Sequence, residues 1–112
     1  MNTFFATNEH DWEDLGGGIK RKIVGHTDDL MAVHVCFDKG AEGKPHAHSE
    51  YDQIGYVVSG SFEAVVDGEK KVLNVGDAFI AKGGAEHGAL ALEENSVLLD
   101  LFSPARADFL DK

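Results

Sequence analysis

The feature that most constrains this chain is a rhythm of short apolar runs broken by turn residues. From Ile19 onward, stretches rich in Val, Ile, Phe and Leu recur at 19–24, 30–37, 45–48, 52–58, 61–66, 70–74, 78–81, 86–92 and 96–102. Between them stand Asp38-Lys39-Gly40, Ser59-Gly60, Asp67-Gly68 and Asn74-Val75-Gly76, all turn-forming combinations. Runs this short read as strands, and no segment carries the 3.6-residue apolar period of an amphipathic helix. Many short strands at even spacing favour a sandwich or barrel, which buries apolar faces and limits exposed edges. Asp67-Gly68, placed after Val65-Val66, predicts a hairpin turn.

A length of 112 residues suits one all-β domain with a core of its own. Its barrel is expected over 19–102, after an N-terminal arm over 1–18 and before a tail over 103–112. The arm ends in Gly16-Gly17-Gly18, which predicts a sharp turn. It is not read as a phosphate loop, because no strand is expected before it and no helix after it. In the tail, Ser103 as cap and Pro104 at the first helical position predict one helical turn.

Charge narrows the partners. Twenty acidic against ten basic residues give a formal net of -10, which repels nucleic acid and anionic membranes. An anionic small molecule is also repelled at long range, so binding one needs a local positive centre. The choices are a metal, the run Lys20-Arg21-Lys22, and Arg106. In that run Lys20 and Lys22 share one strand face and Arg21 takes the other, as on a solvated edge strand. Neither a signal peptide nor a membrane span is apparent, and cytoplasmic residence is the expectation. The single cysteine, Cys36, lies in an apolar run and reads as a core thiol.

The histidines carry the chemistry. His10 and His26 read as surface residues, and His34 as part of the core or of a cavity wall. His46 and His48 are two apart, and on a strand they share a face. Together with Gln53 and His87 they can converge on one cation. Each histidine alone could equally be a satisfied polar group. The spacing of His46, His48 and His87 to the surrounding glycines sets these three apart.

That spacing resembles the cupins, small jelly-roll β-barrels with two motifs. The first runs Gly-x5-His-x-His-x(3,4)-Glu-x6-Gly, and Gly40, His46, His48 and Gly60 fall on it. The second runs Gly-x5-Pro-x-Gly-x2-His-x3-Asn, and Gly76, Gly84 and His87 fall on it. Gln53 stands in place of Glu, Lys82 of Pro and Ala91 of Asn. The resemblance implies one divalent transition metal, with nickel, zinc, manganese and iron all compatible. Gln53 alone could mark a decayed site or a retuned one. Its neutral carbonyl oxygen can still coordinate, and three imidazoles plus an amide leave the ion its full charge. Such a centre favours Lewis-acid chemistry over stabilising an oxidised iron.

In Ser96-Val97-Leu98-Leu99-Asp100-Leu101-Phe102, alternation puts Leu98, Asp100 and Phe102 on one face. A carboxylate there is costly to bury unless it is paired or functional. Arg106 lies near enough to fold over the barrel mouth and grip a carboxylate, though it could also be a solvated tail charge. Tyr51 and Tyr56 are possible cavity residues, and wall packing explains them equally well. Three features resemble the KdgF-type cupins of bacterial uronate catabolism. They are the segment from Trp12 to Ile23, Gln53 at the fourth ligand position, and the run from Leu99 to Leu110.

That resemblance implies His46, His48, Gln53 and His87 as metal ligands, and Asp100, Phe102 and Arg106 as active-site residues. The implied reaction turns a 4,5-unsaturated uronate monosaccharide from pectin or alginate into a linear 5-keto-4-deoxyuronate. Asp100 is then the expected general acid/base, while Arg106 holds the substrate carboxylate and Phe102 walls the sugar ring. Homodimers are expected by the same analogy. Two rivals are a cupin dioxygenase on a small organic substrate and a non-catalytic uronate-binding or sensory cupin. Oxygen consumption would mark the first, and binding without turnover the second.

Overall fold

The computed structural model describes residues 3–110. Met1, Asn2, Asp111 and Lys112, at the outer ends of the expected arm and tail, lie outside them. A 3-10 turn at Thr7–Glu9 leads into β1 (Glu13–Gly16), β2 (Ile19–His26), β3 (Met31–Phe37), β4 (Glu42–His46) and β5 (Asp52–Ser59). The chain continues through β6 (Phe62–Val66), β7 (Glu69–Leu73), β8 (Ala78–Ala81), β9 (His87–Ala91) and β10 (Ser96–Ser103). A single helical turn, α1 (Ala107–Leu110), comes last. No helix among the described residues is long and apolar enough to cross a membrane.

The strands form two antiparallel sheets, ordered β1-β2-β3-β10-β5-β8 and β4-β9-β6-β7. This is the expected all-β jelly roll. It differs from one closed sheet in that no strand ladder among the described residues joins the two sheets. Side chains from the facing surfaces seal the molecule instead, as in sandwiches. The Asp67-Gly68 hairpin is present: Val66 pairs directly with Glu69, and Asp67 and Gly68 have φ of 48° and 82°. Positive φ at both central residues matches the strand twist in two-residue hairpins.

The N-terminal segment departs from the expectation. Residues within the supposed arm form β1, which pairs with β2 through Glu13↔Arg21 and Asp14↔Lys20. A strand therefore does precede the glycine run, and β2 is not an edge. The glycines lead into another strand, so the segment is a hairpin and not a phosphate loop. Arg21 Nε donates to Glu13 Oε1 at 2.9 Å. Lys20 and Lys22, on the opposite face, lie 5.2 and 4.8 Å from the Trp12 ring centroid. The lysines thus cover a tryptophan where edge protection was expected.

The tail differs as well. Ser103 ends β10, paired with Asp52, and cannot cap a helix. The Ser103-Pro104 peptide is cis, and the helical turn begins only at Ala107.

Strand alternation divides inside from outside. Gln53, Gly55 and Val57 of β5 are buried, and Asp52, Ile54, Tyr56 and Val58 between them are exposed. The core has two parts. One is built around Phe37, Val57, Phe62, Leu73, Phe79 and Leu98. The other comprises Met31, Val33 and Phe102, with Ile23, Tyr51 and Phe109 packed against them. His34 alternates with Met31 and Val33 and so faces outward, half-buried. There it meets Lys22 across the strand pair and the edge of Phe5 at 6.4 Å, so it is not a cavity wall. Cys36 is buried and free, as expected.

Candidate metal centre

The site forms where β4 runs beside β9. His46 and His87 are direct cross-strand partners, and their ring centroids are 4.6 Å apart. The expectation that His46 and His48 share a strand face holds only in outcome, because β4 ends at His46. His48 lies in the connection to β5, held by the Gly84 N–H donating to the His48 carbonyl at 3.0 Å. Its ring nevertheless closes the triangle, 5.5 Å from His46 and 4.9 Å from His87.

Gly88 makes this approach possible. A Cβ at that position would lie 2.7 Å from the Gly43 carbonyl oxygen and 2.9 Å from the Pro45 nitrogen. Both are backbone atoms of β4, so any larger residue would push the His46 strand away.

One potential ligand atom from each of the three histidines lies within 4.8 Å of the others. Backbone carbonyls set two tautomers. His46 Nδ1 donates to Lys44 O at 2.8 Å, and His87 Nδ1 donates to Ala85 O at 3.0 Å. A carbonyl can only accept, so in each ring Nε2 keeps a lone pair. His87 Nε2 and both ring nitrogens of His48 are shielded from solvent without a hydrogen-bond partner among the described residues. Burial, the largest influence, holds both imidazoles below their ordinary pKa, and the Arg106 charge lowers both further. Neutral imidazoles with convergent, unpaired lone pairs are what a divalent cation requires. The residues present therefore fit a metal.

Gln53 is buried on β5, in register with Phe102 of β10 and Ala81 of β8. Hydrogen bonding from its side chain helps to hold the Asp100 carboxyl down. A hydrogen bond that lowers a carboxyl pKa favours the ionised form, so in it the Gln53 amide N–H donates and the carbonyl oxygen stays available to coordinate.

Asp100 shares a strand face with Leu98 and Phe102, as alternation predicts, and the structure turns that face inward. Its Oδ1 is shielded and unpartnered among the described residues. Burial pushes the Asp100 carboxyl up to about 7, against the Gln53 hydrogen bond and the Arg106 charge, which both pull it down. Among the described residues it is in no salt bridge.

Phe102 is buried and presents its edge to His48, with ring centroids 6.3 Å apart. It forms an apolar wall beside His48. Arg106 folds back over this end, so it is not a solvated tail charge. Its guanidinium carbon lies 4.0 Å from the Phe109 ring centroid, 5.0 Å from Tyr51 and 5.2 Å from Phe102. The carboxylate it grips belongs to Asp108, through Nε to Oδ1 at 3.2 Å and Nη2 to Oδ2 at 2.7 Å.

Three residues here lie outside the set of site residues expected from the sequence. Asp108 and Phe109 sit in α1, and only the helical turn brings them back onto Arg106. Arg21 faces inward with its guanidinium carbon 4.0 Å from the Phe109 centroid. Alternation separates Arg21 from its lysine neighbours but does not say which face is inside.

Comparison with known proteins finds close relatives over nearly the whole chain. Residues 33–102 match the Cupin domain family. The pectin degradation protein KdgF of Dickeya dadantii (strain 3937) is 56% identical over 110 residues, covering 98% of this chain and 100% of that protein. The solved structure of KdgF from Halomonas sp. superposes with a TM-score of 0.95 at 57% identity, covering 97% of this chain and 99% of that one. An RmlC-like cupin from Shewanella frigidimarina NCIMB 400 gives a TM-score of 0.92 at 46% identity, covering 97% and 96%.

Proposed function

The chain belongs to the KdgF-type branch of the cupin family, and from that membership and its site we propose that it opens and ketonises 4,5-unsaturated uronate monosaccharides. The product is the linear 5-keto-4-deoxyuronate, and the source polymer is pectin or alginate. The observation that carries this reading is Asp100. A shielded carboxyl on the sheet face that bears Phe102, raised by burial and held back by Gln53 and the Arg106 charge, suits a proton carrier for an anionic sugar.

The reaction is an isomerisation, so its protons balance within the substrate. The anomeric hydroxyl loses a proton, the bond from C1 to the ring oxygen breaks, and an aldehyde and a C5 enolate result. Ketonisation then places a proton on C4. Asp100 would accept the first proton and return one at C4, and a carboxyl near pKa 7 serves both directions at neutral pH. Arg106 would hold the substrate carboxylate, and Phe102 would shape the wall against the ring while helping to exclude water. His46, His48, Gln53 and His87 would hold one divalent ion, nickel, zinc, manganese or iron. Bound there, it supplies Lewis-acid polarisation of substrate oxygens.

The test adds purified, metal-loaded protein to freshly generated unsaturated galacturonate or mannuronate. Loss of the conjugated ultraviolet absorbance above the spontaneous rate, suppressed by a chelator, is expected. Decay at the background rate alone would overturn the reading.

We also propose a homodimer, working in the cytoplasm, that pairs through the outer face of the six-stranded sheet. Leu101, Ile54 and Ile80 stand side by side across β10, β5 and β8, and are 39, 40 and 67% exposed. Their neighbours Leu99, Tyr56, Val58 and Ala78 are also uncharged. In a chain of net charge -10, two copies repel least across such a face, and a two-fold contact can bury the same patch on both.

A further inference from the structure

We propose that Asp108 is a positioning residue for Arg106, holding one edge of its guanidinium so that the other edge faces the carboxylate of the substrate. This rests on the uronate reading above and adds to it a residue that sets how the anionic group is received. Asp108 takes the side edge of Arg106, Nε at 3.2 Å and Nη2 at 2.7 Å. A guanidinium offers five N–H donors in a rigid fork, so the end edge formed by Nη1 and Nη2 stays open to a second carboxylate. Tyr51 fixes the holder: its hydroxyl donates to Asp108 Oδ1 at 3.3 Å.

An exposed ion pair two residues apart would ordinarily contribute little. This pair is different because the Arg106 side chain is only 16% exposed, with the rings of Phe109, Tyr51 and Phe102 around it. Those rings restrict the plane of the guanidinium but do not choose which edge turns inward. The carboxylate of Asp108, 53% exposed and anchored on α1, makes that choice. Tyr51 also packs its ring edge-on to His48 at 5.4 Å, which ties the anion-binding end to the histidine cluster.

The rival account is that Asp108 merely fills the place of the substrate carboxylate and must leave. The two accounts predict opposite signs. Calorimetry should follow D-galacturonate, a saturated uronate that cannot react, titrated into metal-loaded wild type, Asp108→Asn and Asp108→Glu, with D-galactose as the neutral control. Positioning predicts that Asp108→Asn weakens galacturonate binding about tenfold and leaves galactose unaffected, with partial recovery in Asp108→Glu. With unsaturated uronate, KM should rise by a similar factor and kcat should fall much less. Equal or tighter galacturonate binding by Asp108→Asn, at unchanged metal content and melting temperature, overturns the positioning role and leaves the uronate reading intact. Wild type that does not distinguish galacturonate from galactose overturns both.

Discussion

His46 and His87 face each other across β4 and β9 as direct strand partners, with ring centroids 4.6 Å apart. The pair is built by backbone register, and its two Nδ1 atoms are committed to the carbonyls of Lys44 and Ala85. Adding a divalent metal should therefore stabilise the fold, by about 2.7 kcal/mol at a hundredfold excess over Kd. His87→Ala should abolish that gain. Melting curves with and without metal would read it, and an undiminished shift in the variant would remove His87 from the ligand set.

Acid should release the metal. His48 and His87 have pKa values below the ordinary 6.5, chiefly through burial. The folded state thus keeps these rings neutral while the unfolded chain already takes up protons. Their contribution to stability is present above pH 6.5 and is lost as pH falls through their lowered values. Metal affinity should fall over the same window, measurable by competition with a chromogenic chelator. Affinity that stays flat down to about pH 5 would contradict the neutral-imidazole assignment.

Asp100→Asn should cut turnover by roughly 10² to 10⁴-fold while metal content stays unchanged. In metal-free protein the same variant has a second signature. Asp100 titrates near 7 when folded, against 3.8 as its ordinary value. The folded state therefore holds this proton longer, and the wild type loses stability as pH rises from about 4 to about 7. The stability gain of Asp100→Asn over wild type should grow across that interval in denaturant titrations. A constant difference would place the carboxyl in water.

Gly88→Ala should destabilise the protein by about 1–3 kcal/mol. The added Cβ meets the Gly43 carbonyl and the Pro45 nitrogen, neither of which can swing aside. Loosening β4 also displaces His46, so weaker metal binding should accompany the lower denaturation midpoint. A variant equal to wild type in both would show that β4 has room to move.

Ile80→Glu and Leu101→Glu should convert the proposed dimer to monomer in light scattering after size exclusion. Activity per chain should survive, because both side chains point away from the histidines. A dimer that persists in both variants would put the interface elsewhere.

Much of this molecule is determined by the sequence alone. Alternation and turn residues dictate most of the strands from Ile19 to Phe102, the Asp67-Gly68 hairpin and the shared face of Leu98, Asp100 and Phe102, because side-chain period two is a local property of the backbone. Glycine-to-histidine spacing is enough to single out His46, His48 and His87 as candidates, and the family resemblance adds Gln53. Only the tertiary structure decided the rest. It made β1 a strand by giving Glu13 a partner in Arg21, and it turned His34 outward. It also brought Asp108 onto Arg106 beneath the rings of Tyr51 and Phe109. Each of these depends on which elements pack together over long sequence separations, or on a turn too short to leave a periodic signal. Such contacts have no local pattern from which they could be read.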